Sequence, residues 1–211
     1  MASKHWTVKS RRPEDSANAL DYYESGEGRA QTETNAVKKI QEQITLRAVQ
    51  LANFELGTTL LDAGCGSGHS LSVLSELGFK AKGFDLSPRL VSLAKKKKLD
   101  ATVGDLRKIP FPGASFGGLV SVSALQWLLS ANYSEDEKKQ NLEKCASEFW
   151  RVLEKGGKAV VQWYPRSEQE LFWAGKVFKS AGFRVVVHQD NADNARKRKC
   201  FLVLEKPISL V

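Results

Sequence analysis

The chain has 211 residues, 42% of them hydrophobic, and a formal net charge of +8 at pH 7. That length fits one domain able to bury a core on both faces of a sheet, and no apolar run approaches the roughly 20 residues that a bilayer-spanning helix needs. The positive balance favours a polyanionic partner over an acidic protein or a neutral lipid.

The first 33 residues, beginning MASKHWTVKSRRPED, lack the apolar core of a signal peptide and read as a partly flexible segment before the domain. The expectation is a soluble, intracellular protein with no membrane association. The domain itself is expected over 34–206, with 207–211 as a short C-terminal end. Thr34 to about Ala52 places Val37, Ile40, Ile44, Ala48 and Leu51 on one stripe, which predicts a helix. The apolar run TTLLDA (58–63) predicts a buried strand, and Leu71, Leu74 and Leu77 predict a helix immediately after it. Ala81–Asp85 reads as the second strand, Ser87–Lys98 as a helix with Pro88 in its first turn, and Thr102–Gly104 as a short third strand. Leu119–Val122 is the fourth strand. Lys138–Leu153 is a helix that turns Leu142, Ala146, Phe149 and Leu153 inward. Gly156–Gly157 breaks that helix, and Lys158–Trp163 is the fifth strand. Ser167 caps another helix, bearing Leu171, Ala174, Phe178 and Ala181 and closed by Gly182. Arg184–His188 and Cys200–Leu204 complete the chain as an antiparallel pair. The alternation of strands and helices predicts a doubly wound α/β fold of seven strands, with no linker or repeat to divide it.

Between the first strand and its helix stands Asp62-Ala63-Gly64-Cys65-Gly66-Ser67-Gly68. Three alternating glycines let the backbone turn tightly and leave it bare of Cβ atoms, so a ligand can touch main chain under a helix N-terminus. The strict alternation differs from the G-x-G-x-x-G of dinucleotide sites, and no Gly-Lys-Ser/Thr follows to make a phosphate-binding P-loop. This form resembles motif I of class I S-adenosylmethionine (SAM)-dependent methyltransferases. Asp85 ends the second strand about 20 residues later, where an acid would bond ribose hydroxyls. Asp105 follows the third strand, where it could accept from an adenine amino group while Leu106 packs on the ring. Each acid also has a plainer reading, as a helix cap or a turn residue.

After the fourth strand the sequence is Ser121-Val122-Ser123-Ala124-Leu125-Gln126-Trp127. It lacks the Asn/Asp-Pro-Pro-Tyr/Phe that would receive an exocyclic amine, a cysteine nucleophile for pyrimidine C5, and a His or Glu to serve as general base. No residue is therefore assigned that last role. Transfer from a sulfonium is an in-line displacement, and a nucleophile with a free lone pair, such as guanine N7, needs only positioning and desolvation. Trp127, Trp163 and Tyr164 follow strands four and five, where aromatic faces could stack a purine or simply roof the core. The runs Lys95–Lys98 and Arg196–Lys199 each read first as a solvated face. Cys65, Cys145 and Cys200 are odd in number and far apart, and His5, His69 and His188 are scattered, so no metal site is expected.

The segments IQEQITLRA (40–48), LLDAGCGSG (60–68), FDLSPRLV (84–91), IPFPGASF (109–116), SVSALQWL (121–128), LEKGGKAVVQWYP (153–165) and KSAGFRVVV (179–187) together resemble the eukaryotic small-subunit (18S) rRNA guanine-N7 methyltransferases of ribosome biogenesis. The resemblance implies a class I SAM-dependent methyltransferase, Rossmann-like fold: a seven-stranded, mostly parallel sheet with a last antiparallel strand and helices on both faces. It implies SAM as cofactor and a guanine of small-subunit rRNA as substrate. The cofactor contacts it implies are Asp62, Gly64, Cys65, Gly66 and Gly68 at the methionine part, Asp85 and Leu86 at the ribose, and Asp105 and Leu106 at the adenine. Ser121 and Gln126 would lie beside the sulfonium, and Arg47, on the helix covering that end, is a candidate to pair with the methionine carboxylate or else a surface charge. Gln126, Trp127, Trp163 and Tyr164 would position the substrate, and Tyr22 or Tyr23 in the N-terminal segment would close over the cofactor.

The resemblance further implies a small zinc-binding activator protein as heterodimer partner. The expected strand order leaves the third strand at an edge, and the Asp105–Phe116 connection is too short for a covering helix, so a partner could add a strand beside Leu99–Gly104. Location in nucleus, nucleolus and cytoplasm follows from the same resemblance. Family members carry a long basic C-terminal extension, whereas this sequence stops at Val211, as a shortened chain or a compact homologue would. A small-molecule methyltransferase or a pre-ribosome assembly factor would share the cofactor motifs.

Overall fold

The computed structural model describes residues 6, 12–25, 28, 30 and 32–208. A 3-10 turn at Pro13–Asp15 and helix α1 (Ala19–Glu24) precede α2 (Asn35–Ala52), β1 (Thr59–Ala63) and α3 (His69–Glu76). Then come β2 (Lys80–Asp85), α4 (Pro88–Lys96), β3 (Ala101–Val103), β4 (Phe116–Val122) and a 3-10 turn at Leu125–Leu129. The chain continues through α5 (Glu135–Val152), β5 (Leu153–Trp163), α6 (Glu168–Ser180), β6 (Arg184–Asp190) and β7 (Lys199–Glu205).

The strands form one sheet in the order β3-β2-β1-β4-β5-β7-β6. β1 pairs in parallel with both β2 and β4, so the strand order reverses there and opens a crevice at their carboxyl ends. β7 is the antiparallel strand, inserted between β5 and β6. Because β5 and β6 both oppose β7, β6 runs in the same direction as β5, and its last residue Asp190 lies at the carboxyl end of the sheet. The expected edge position of β3 is observed, since among the described residues it pairs with β2 alone.

Alternate residues of the central strands feed two cores. Leu61, Leu119, Val161 and Trp163 face α5 and α6, packing with Phe149 and Phe178; Leu60, Val120 and Val160 face α2 and α3, packing with Ile44, Ala48 and Leu74. Burial on both faces explains why these strands read as continuous apolar runs. Side-chain caps fix the helix starts: Thr34 accepts from Val37 N, Ser87 from Leu90 N and Ser167 from Glu170 N.

Several boundaries differ from the expectation. α5 starts at Glu135 rather than Lys138, because Ser134 and Glu137 form a reciprocal capping box. β5 reaches back to Leu153, which is already extended (φ −77°, ψ 141°), so Gly156 with φ 79° bends a strand instead of ending a helix. β4 begins at Phe116, paired with Leu153. On α2 the buried stripe is Ile44, Thr45, Ala48 and Ala52, while Ile40 is exposed. Neither α1 nor the Leu125–Leu129 turn was foreseen.

The described part of the N-terminal segment is fastened to the domain. Arg12 Nη1 donates to Tyr164 O at 2.6 Å, Ser130 Oγ donates to Glu14 O, and Arg166 pairs with Asp15. Residues 1–5, 7–11, 26, 27, 29, 31 and 209–211 of the two expected terminal segments lie outside the described residues.

Candidate active site

β1 delivers its chain into the glycine loop at the crevice. Gly64, Gly66 and Gly68 have φ of 84°, 53° and 90°, a region that favours glycine. The N–H groups of Gly64 and Cys65 both donate to Phe84 O at 2.9 Å, which ties the loop to the end of β2. A Cβ on Gly64 would stand 2.5 Å from the Ala124 Cβ, and one on Gly68 would stand 2.4 Å from Leu99 Cδ1. Gly68 therefore serves the packing of α3 on α4. A Cβ on Gly66 would meet nothing nearer than Leu90 Cδ1 at 4.0 Å, so the backbone there is open to a ligand.

Asp85 closes this loop from β2. Its Oδ2 accepts from Gly66 N at 2.8 Å and its Oδ1 from Ser87 N at 3.0 Å, and burial pushes its carboxyl pKa up. A carboxylate oxygen has two lone pairs, so each still has room for a hydroxyl donor. Gly64, Cys65, Gly66, Asp85 and Trp127 line one pocket together with Tyr23. The Cys65 thiol is buried and its pKa is raised by that burial. Asp62 stands behind the loop instead. It is fully buried, Oδ2 accepts from Ser70 Oγ at 2.5 Å, and Oδ1 has no partner among the described residues. Burial lifts its pKa to about 7.

An aromatic cluster forms the opposite wall. Trp127 Nε1 donates to the Tyr23 hydroxyl at 3.2 Å, with ring centroids 5.2 Å apart, and Tyr22 lies 5.5 Å from Trp127. Tyr23 comes from α1, which thereby covers the pocket. Two glutamates of the same N-terminal region pack nearby, Glu33 against the lining residues Ser67 and His69 and Glu24 against Ser87 at the start of α4. Ser87 Oγ donates to Glu24 at 2.5 Å, and Ser67 Oγ donates to Glu33, which also lies 3.3 Å from His69 Nε2. Burial holds the His69 pKa below its usual range. Sequence reasoning missed Glu24, Glu33 and His69, because nothing in their local pattern marks a contact across 30 or more residues of chain.

Other expected site residues lie elsewhere. Arg47 donates through Nε and Nη2 to Asp190 at 2.9 and 3.0 Å, so it is engaged at the end of β6 and not by the glycine loop. Asp105 accepts the backbone N–H of Arg107 at 2.8 Å and its guanidinium at 2.6 Å, a local turn outside the pocket lining. Leu106 is buried in the core facing α5, and Leu86 is outside the lining. Ser121 is fully buried and donates to Ala63 O at 2.7 Å, joining β4 to β1. Gln126 Nε2 donates to Ser123 O at 2.7 Å, leaving its Oε1 buried without a partner among the described residues. Trp163 is wholly buried in the core, so its ring cannot stack a substrate base. Tyr164 sits at the carboxyl end of β5, with Lys199 Nζ 5.0 Å over its ring.

The residues present fit the sulfonium cofactor: bare backbone at Gly66, a carboxylate with spare acceptor capacity at Asp85, and aromatic faces opposite. Among the described residues no cluster of His, Cys, Asp and Glu could hold a metal, and no helix is long and apolar enough to cross a membrane.

A family model described as a methyltransferase domain matches residues 61–161. An 18S rRNA guanine-N7 methyltransferase of Saccharomyces cerevisiae is 35% identical over 82% of this chain and 64% of its own length. The 18S rRNA (guanine-N(7))-methyltransferase of Mus musculus is 34% identical over 93% of this chain and 72% of its own. The chain thus spans about two thirds of the length of these relatives. Among solved structures, a methyltransferase in complex with the Haloferax volcanii Trm112 methyltransferase activator superposes with a TM-score of 0.60 at 22% identity, over 82% of this chain and 95% of that one.

Proposed function

This chain belongs to the family of 18S rRNA guanine-N7 methyltransferases, and we propose that it transfers a methyl group from SAM to N7 of a guanine in small-subunit rRNA. The observation that carries this reading is the single pocket in which the Gly64–Gly66 backbone and Asp85 face Trp127 and Tyr23. Bound SAM supplies an activated methyl sulfonium. The glycine loop and Asp85 would hold it, Asp85 through the acceptor capacity that its bonds from Gly66 N and Ser87 N leave free. α1, through Tyr23, shields the site from water.

Guanine N7 attacks with a free lone pair, so no side chain has to remove a proton first. A guanine methylated at N7 carries a positive charge on its ring. Trp127 and Tyr23 present π faces beside Ser123 and Ala124, and such faces attract a cation by about 0.5–2 kcal/mol. Small-subunit RNA from cells with and without the gene, reduced with borohydride and cleaved with aniline, tests the reading. One reverse-transcription stop present only with the gene supports it; identical patterns refute it.

A small zinc-binding activator is proposed as heterodimer partner, pairing a strand with β3. Support comes from the free edge of β3, where Val103 is 47% exposed, and from the fold shared with a methyltransferase solved in complex with the Trm112 methyltransferase activator. A location at the site of small-subunit assembly is part of this proposal, supported by the names of the relatives.

A further inference from the structure

The β6–β7 loop, residues 191–198, stands at the carboxyl end of the sheet, the end that holds the glycine loop. Its shape is fixed from within. The Asn194 side chain accepts the N–H groups of Arg196 and Lys197 at 3.1 and 3.2 Å, and its carbonyl accepts that of Arg198 at 2.8 Å. Arg198 is the rivet of the loop: it is buried, donates through Nε and Nη2 to Ala192 O, and stacks 4.5 Å over the Trp6 ring. Arg196 and Lys197 are left exposed, with no ion pair among the described residues. The acid at the base of the loop, Asp190, is already neutralised by Arg47. Lys199, over Tyr164, extends the positive surface towards β5. With Asp193 counted, the loop remains net positive.

We propose that Arg196 and Lys197 hold the backbone of the RNA whose guanine enters the pocket, with Lys199 and Tyr164 bridging loop and pocket. This rests on the rRNA reading above. β7 lies two strands from β4, and at about 4.8 Å per strand the loop is on the order of 10–15 Å from the Trp127 side, a reach of a few nucleotides. Two exposed cations aimed at solvent beside an active crevice suit phosphates, which position an RNA without reading its sequence. The other basic run, Lys95–Lys98, ends α4 beside β3 at the opposite edge of the sheet.

The test measures binding of a small-subunit rRNA fragment that contains the guanine mapped by the reverse-transcription stop to the full chain loaded with S-adenosylhomocysteine, across a salt series. The double variant Arg196→Glu/Lys197→Glu should bind at least about tenfold more weakly, with a salt slope shallower by about 1 per lost phosphate contact and unchanged S-adenosylhomocysteine affinity. Lys80→Glu/Lys155→Glu makes the same change in net charge at the amino ends of β2 and β5 and should bind within about twofold of wild type. Wild-type-like binding by the loop variant, or an equal loss in the control, overturns the docking surface alone. Failure of the wild-type chain to hold the fragment overturns the rRNA reading and the docking surface together. Loss of binding to anionic lipid vesicles with RNA binding intact would assign the loop to a membrane surface and overturn the proposal.

Discussion

Asp85 accepts the backbone N–H of Gly66 at 2.8 Å, so the acid expected at the ribose also holds the glycine loop in shape. Its second oxygen fixes Ser87 N, and Ser87 in turn caps α4. Cofactor contact and loop geometry thus depend on one carboxylate.

Asp85→Ala leaves two N–H groups without acceptors, at about 1–3 kcal/mol each, and removes the ribose partner. Calorimetry should find no measurable SAM affinity, whereas Asp85→Asn, which keeps one acceptor oxygen, should retain weak binding. An unchanged Kd for the alanine variant would take Asp85 out of the ribose role.

Asp62 gives a pH signature. Its folded pKa of about 7 lies above the ordinary aspartate value of 3.8, so the folded chain keeps a proton that the unfolded chain has lost. Stability from this group is complete below the unfolded pKa and is lost as pH rises through about 7, at on the order of 1.4 kcal/mol per pH unit within that window. Asp62→Asn removes the slope. The melting temperature of the variant relative to wild type should therefore climb between pH 5 and pH 7.5, and a constant difference would show that Asp62 is ionised throughout.

Trp127 combines a ring face with a hydrogen bond to Tyr23. Trp127→Phe keeps the face and should hold kcat/KM on an rRNA substrate within about tenfold. Trp127→Ala loses stacking worth about 1–3 kcal/mol and should cost roughly 5- to 150-fold. Equal activity of both variants would assign the ring to covering the core.

Arg47→Ala tests whether the pair with Asp190 is the whole role of Arg47. Its bidentate pair with Asp190 is more than a quarter exposed on both sides, so its loss should cost no more than about 1 kcal/mol of stability. SAM affinity should stay within about twofold in titration calorimetry, since Arg47 is outside the pocket lining. A tenfold loss would restore Arg47 as the methionine-carboxylate partner.

What the sequence determined by itself was everything carried by short-range pattern. The apolar run of β1, the alternating glycines at 64, 66 and 68, the acid at 85 and the strand–helix alternation are all set by neighbours along the chain, through φ preference, capping and the periods of strand and helix. They sufficed for the fold, the crevice and the family resemblance. Only the tertiary structure decided which candidates face the pocket. Trp163 and Ser121 sit on strands buried on both faces, and Leu106 turns into the core, so a motif position did not ensure a pocket position. Arg47 found a carboxylate 143 residues away, and Tyr23 and Glu33 reached the site, and Glu24 the start of α4, from a segment with no motif. Side-chain direction and long-range charge pairing depend on how the sheet is stacked and closed, and no local spacing encodes that.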